Sequence, residues 1–177
     1  MILQLLRQTC GLLDEKNIPY MISGSIAMNI YAIPRMTRDI DIVIELTEDR
    51  IEEFIGLFPN SYYNVETIRV EVKKRGMFNI IDNSTGFKMD FIIRKDTEYF
   101  KKAFDSRRRI KTLDTNLWII GLDDLIIAKI IWIQSYQSEK QIQDIKNLLL
   151  NPERNIEYIR SWCNALNLLT FDLLKDE

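Results

Sequence analysis

Asp39 and Asp41, in the run Arg38-Asp-Ile-Asp-Ile-Val-Ile-Glu45, are the residues whose spacing points most directly to chemistry. In an extended strand, residues i and i+2 project from one face, roughly 6.6 Å apart along the chain. Both carboxylates therefore share a face, while Ile40, Ile42 and Ile44 turn to the opposite, buried one. Aspartate is disfavoured in strands, and two like charges side by side repel unless something neutralises them. An oxygen-preferring divalent cation would do so, with Mg²⁺ as the natural choice and Mn²⁺ as a substitute. The pair reads as a metal site.

A second strand repeats the pattern. In Phe87-Lys-Met-Asp-Phe-Ile-Ile-Arg94, Phe87, Met89, Phe91 and Ile93 form an apolar face, and Lys88, Asp90 and Arg94 share the other with Ile92. By itself this is an ordinary amphipathic strand with a wet face. Beside the strand of Asp39 and Asp41, however, Asp90 becomes a third carboxylate, and three carboxylates can hold two metals in phosphoryl chemistry. Upstream, Gly24-Ser25 sits between a short strand, Tyr20 to Ser23, and a short helix, Ser25 to Ile33. Glycine permits close backbone approach and a helix N-terminus offers free N–H groups to phosphate. Ser25 could equally be a simple N-cap. What gives the dipeptide weight is its place one short helix ahead of the carboxylates.

Other chemistries are excluded by composition. The chain has no histidine, which removes Ser-His-Asp and Cys-His catalysis and histidine-based zinc sites. Its two cysteines, Cys10 and Cys163, are too far apart in sequence to form a metal or disulfide pattern. The formal net charge of −2 gives no bulk attraction for nucleic acid, although Lys73-Lys74-Arg75, Arg94-Lys95, Lys101-Lys102 and Arg107-Arg108-Arg109 are locally basic and together could face a polyanion. No charged-then-apolar leader opens the chain, and the apolar run around Ile126 to Ile133 is interrupted by Lys129, so no membrane partner and a cytoplasmic location are expected.

The elements that must position these residues follow from periodicity. Helices are expected over Ile2 to Lys16, Thr47 to Phe58 and Thr97 to Asp105, with strands over Met77 to Ile81 and Phe87 to Arg94 joined by the turn Asp82 to Gly86. A weaker strand is expected over Tyr62 to Ile68, and one or two more over Ile110 to Ile120. Beyond Leu122 the pattern is helical: Asp123 to Tyr136, Glu139 to Leu150, Glu153 to Leu166 and a last weak segment. This order predicts an α+β fold, a mixed β-sheet flanked by helices, divided into a core over residues 1–120 and a helical C-terminal part over 121–177 packed on it.

Two residues of that helical part matter. Lys129 falls in the stripe Leu122, Leu125, Ile126, Lys129, Ile133, where a lysine either meets an anion or snorkels to water. Ser138-x-x-Gln141 opens the next helix as a capping box, and Asp144 lies at the edge of that helix's apolar stripe. There it could orient Lys129 or contact a ligand, though such a position is more often plain surface.

Taken together, Gly24-Ser25, Arg35-x-Thr37-x-Asp39-x-Asp41, Lys88-Met-Asp90 and the segment Gly121 to Trp132 with Ser138 to Ile145 resemble the minimal nucleotidyltransferases of the polymerase-beta superfamily, and in particular bacterial nucleotidyltransferase-like proteins related to abortive-infection toxins. The resemblance covers about residues 15 to 150. One departure is Ser25, where many members carry a second glycine, although serine is also common there. The resemblance implies the nucleotidyltransferase fold and a nucleoside triphosphate with Mg²⁺ as the donor complex. It further implies Asp39, Asp41 and Asp90 as catalytic and metal-binding residues, and Gly24, Ser25, Arg35, Thr37, Lys88, Lys129 and Asp144 around the nucleotide. The implied reaction moves a nucleoside monophosphate to a hydroxyl on RNA such as tRNA or on protein, with a toxin-like role and a partner antitoxin. A small-molecule nucleotidyltransferase of the antibiotic-modifying kind and a non-catalytic nucleotide-binding module are the alternatives.

Overall fold

The computed structural model describes residues 1–112 and 115–175. Within them, seven strands form one sheet in the order β3-β4-β5-β2-β1-β7-β6. They are β1 (Tyr20–Ile22), β2 (Asp39–Ile44), β3 (Ser61–Tyr62), β4 (Met77–Asp82), β5 (Lys88–Ile93), β6 (Arg108–Thr112) and β7 (Thr115–Ile119). The β2/β5 and β1/β7 pairs are parallel and the other pairs antiparallel. Between and after them come α1 (Ile2–Glu15), α2 (Gly24–Tyr31), α3 (Ile51–Ile55), α4 (Val65–Lys74), α5 (Glu98–Asp105), α6 (Leu122–Ile133), α7 (Glu139–Leu149) and α8 (Ile156–Ala165). The expected mixed sheet flanked by helices is what forms.

Hydrophobic residues gather on both faces of the sheet. On one side Ile40, Ile42, Ile44, Met89, Phe91 and Ile93 pack with residues of α1, α3 and α4. There Phe91 meets Phe54 edge-on at 5.1 Å between ring centroids and stacks on Phe78 at 5.6 Å. That packing fixes the parity of β5, because a slip of one residue would turn every side chain to the other face. On the second side, Met21, Ala27, Met28 and Ile119 pack with α5, α6, α7 and α8. Val43 joins this second layer, so the odd-numbered face of β2, which carries Asp39 and Asp41, is the face covered by α2 and the C-terminal helices.

Two expectations need correction. The stretch expected as a strand over Tyr62 to Ile68 is a two-residue strand followed by α4, which starts at Val65. The Asn64 side chain caps it, accepting from Thr67 N–H at 2.8 Å, and Ile68 and Val72 turn inward at helical spacing. The helix expected over Thr47 to Phe58 is a 3-10 turn, Glu48–Arg50, followed by α3. No helix among the described residues is long and apolar enough to cross a membrane.

Candidate active site

The parallel ladder between β2 and β5 sets Asp39 opposite Lys88 and Asp41 opposite Asp90. The matched parity expected of the two strands thus puts three carboxylates and one ammonium on a single patch. Asp39 is exposed, Asp41 half-buried and Asp90 buried. Lys88 Nζ lies 2.8 Å from Asp90 Oδ2 and 3.9 Å from Asp39 Oδ1, and its hydrogen bond to Asp90 raises the ammonium pKa. The stronger electrostatic conflict for Asp41 is across the strands, with Asp90, and not along β2 with Asp39. Burial pushes the Asp41 carboxyl above its usual range, and the Asp90 charge adds more than the Asp39 charge does.

Gly24 shapes the same spot from the other side. It opens α2 with φ +58°, and a Cβ there would overlap the Asp41 carboxylate. Only glycine allows the turn to close this far onto β2. The N-cap position belongs to Ser23, so Ser25 lies inside the first turn and is not a cap. The Ser25 backbone N–H donates to the Asp41 carboxylate, while its hydroxyl accepts from Arg35 Nη2 at 2.7 Å.

Arg35 opens a second, basic half of the site. Its Nε and Nη2 donate to the two oxygens of Asp144 at 3.0 and 2.8 Å. Lys129 Nζ reaches the same carboxylate at 2.9 Å. Lys129 is therefore paired rather than snorkelling, and Asp144 is buried rather than a surface residue. Burial opposes ionisation of Asp144, but the hydrogen bonds from Arg35 and Lys129 prevail and hold its carboxyl below the usual range. Asn29, which sequence reasoning missed, accepts from Arg35 N–H and donates to Arg35 C=O, both at 2.9 Å. No periodicity marks it; its signal is only an amide in the last turns of a helix, six residues before the arginine. Thr37 sits on the exposed approach to β2, and its hydroxyl bonds the Asp39 backbone at 3.3 to 3.4 Å. It supports the first carboxylate rather than facing the basic half.

The site is thus bipolar. Asp39, Asp41 and Asp90 make an acidic pole, Arg35 and Lys129 a basic one, and Ser25 touches both. A donor set of carboxylates with no histidine or thiolate matches a hard divalent cation, and the Lys88 ammonium already stands among these carboxylates as a positive charge. Among the described residues, no three Asp, Glu, His or Cys side chains converge closely enough to hold a metal ion by themselves. The fit lies in the chemistry and placement of the donors, not in a preassembled cage.

The family described as "Nucleotidyltransferase of unknown function (DUF6036)" matches residues 2–175. No curated protein matches the chain. Among solved structures it is similar to ANT(2")-Ia in complex with adenylyl-2"-tobramycin, at 12% identity and a TM-score of 0.62 over 93% of this chain and 95% of that one. An antigenic nucleotidyltransferase-like protein from Paracoccidioides brasiliensis shares 16% identity with a TM-score of 0.56 over 93% and 85%. The lincosamide antibiotic adenylyltransferase LnuA, lincomycin-bound, shares 12% with a TM-score of 0.53 over 79% and 91%. At these identities the structures share the fold.

Proposed function

The chain belongs to the nucleotidyltransferase family DUF6036, and from that premise we propose that it moves a nucleoside monophosphate from a nucleoside triphosphate to a hydroxyl on a small molecule. One observation carries the reading: the parallel ladder that opposes Asp41 to Asp90, with Gly24 closed onto Asp41. Asp39 and Asp41 would hold the Mg²⁺ that accompanies the triphosphate, with Mn²⁺ as a substitute and Asp90 as a further ligand. When bound, the metal neutralises phosphate charge and polarises the phosphorus under attack.

The chain's own residues do the rest. Gly24 brings the α2 N-terminus up to the phosphates, and the Ser25 hydroxyl, Arg35 and Lys129 supply donors and positive charge to them. Asp144 holds Arg35 and Lys129 in place. Asp90 takes the proton from the acceptor hydroxyl as its oxygen bonds the α-phosphorus, and pyrophosphate leaves. A binding module would have no use for Asp90 in that position.

Two considerations support a small acceptor. The solved structures sharing this fold include ANT(2")-Ia in complex with adenylyl-2"-tobramycin and the lincosamide antibiotic adenylyltransferase LnuA with lincomycin bound. The net charge of −2 and the acidic pole offer no general attraction to RNA. The test is a label-transfer screen. Purified protein, Mg²⁺ and each labelled nucleoside triphosphate are incubated with aminoglycoside-like and lincosamide-like alcohols, with total tRNA and with cell protein. Label on a small alcohol is the expected result. Label on tRNA or protein would redirect the acceptor assignment, and no transfer to anything, with metal–nucleotide binding intact, would favour the binding module.

A further inference from the structure

Lys88 is placed where a metal ion's charge is wanted. It stands directly across the ladder from Asp39 and two residues before Asp90, and its ammonium pairs with Asp90 and lies close to Asp39. Its own side chain is 40% exposed, so the pole does not wall it in. With the ammonium among them, the carboxylates do not close into a three-ligand group among the described residues. A lysine and a divalent cation cannot both sit between these oxygens without strong mutual repulsion.

We propose that Lys88 is a built-in counter-cation that fills the acidic pole before loading and must leave it when the metal enters. This inference rests on the metal–nucleotide reading above. The departing ammonium needs another anion, and the arriving triphosphate is one. Metal and nucleotide therefore load cooperatively: each makes room or provides a partner for what the other displaces. Coupling of this kind is reciprocal, so it is measurable from either ligand. In the unloaded protein, Lys88 keeps an acidic patch from capturing metal without substrate.

The experiment is calorimetric titration of Mn²⁺ into the full chain, with and without a non-hydrolysable nucleoside triphosphate. It compares wild type, Lys88→Met, Lys88→Arg and Asp41→Asn, with metal-dependent melting shifts as a second readout. Removing the ammonium should tighten binding of Mn²⁺ alone by about tenfold, an estimate in line with losing one partly exposed ion pair plus its repulsion of the metal. The extra affinity that nucleotide confers on Mn²⁺ should shrink correspondingly in Lys88→Met and persist in Lys88→Arg. Comparing variants removes the metal's own attraction to triphosphate, which is the same in all. Equal or weaker Mn²⁺ binding by Lys88→Met, beside clear binding by wild type that Asp41→Asn abolishes, would overturn the role of Lys88 and leave the metal site standing. No Mn²⁺ binding by wild type under any condition, or binding that Asp41→Asn leaves untouched, would overturn both.

Discussion

Asp41→Asn should make the ligand-free protein more stable while destroying what the site is for. Opposed residues on adjacent strands bring their side chains roughly 5 Å apart. Two like charges at that separation repel by about 3 kcal/mol at an effective dielectric of about 20. Lys88 offsets part of this through its 2.8 Å pair with Asp90, and a pair at its exposure is worth about 1 kcal/mol or less. The asparagine oxygen still accepts the Ser25 N–H that Asp41 accepts, and its amide can donate toward Asp90, so no polar group is orphaned. The net gain should be about 1–2 kcal/mol, or a melting rise of roughly 2–8 °C for a chain of this length. The pH dependence has a definite sign. A carboxyl raised in the folded state costs nothing below its unfolded pKa of about 4 and destabilises progressively as pH rises through the folded value. The advantage of the variant should therefore be full at pH 7.5 and fade as pH is lowered toward about 4. Urea denaturation across that range, without metal, measures it. A variant no more stable than wild type at pH 7.5, or an advantage that does not change with pH, would refute the claim that Asp41 is a frustrated charge.

Asp144→Asn should do the opposite: it leaves Arg35 and Lys129 close together without their shared anion, at a cost of about 2–3 kcal/mol in chemical denaturation. Because the folded Asp144 pKa is depressed, its stabilisation is present above the unfolded value of about 4 and is lost as pH falls below it, so wild type and variant should converge in acid. Gly24→Ala forces a side chain into a φ of +58° and onto the Asp41 carboxylate; a loss above about 2 kcal/mol is expected by thermal melting, with metal–nucleotide binding impaired. Asp90→Asn keeps shape and loses the proton acceptor, so calorimetry should find metal–nucleotide binding retained while label transfer falls by about 10²–10⁴-fold. Undiminished transfer in Asp90→Asn would reduce Asp90 to a polar residue on a strand face.

How far the sequence could be read depended on whether the information was local. The alternation Met89, Phe91, Ile93 against Lys88, Asp90 is a local pattern, and β5 forms where it predicts. The pairing partner of Asp41 is not local. Parity put Asp39 and Asp41 on one face, but only the register of β2 on β5 makes Asp90 its nearest rival charge. Asp144 shows the same limit. A carboxylate at the edge of an amphipathic stripe looks like surface until Arg35, 109 positions earlier, is brought against it. The start of α4 failed for a different reason: Val65, Thr67 and Ile68 have β-branched side chains with strand preference, and the Asn64 cap that decides for helix is one side-chain hydrogen bond to Thr67.

The site also sets how the two parts expected from the sequence relate in function. Asp39, Asp41, Lys88 and Asp90 sit on sheet strands, but Lys129 and Asp144 belong to α6 and α7, beyond residue 120. Arg35, from the loop before β2, is held by Asp144 and touches Ser25 in the first turn of α2. An acidic pole built by the sheet alone would attract a cation and repel a triphosphate. The helices add the positive charge, and a single buried carboxylate fixes where it points. Without α6 and α7 the strands would still place three carboxylates on one patch, yet Arg35 would lose the partner that orients it and Lys129 would be missing. The C-terminal helices therefore supply half of the proposed substrate site besides covering it. Their second contribution is shielding: they cover the same sheet face that carries the carboxylates, and charges act more strongly there than they would in open water.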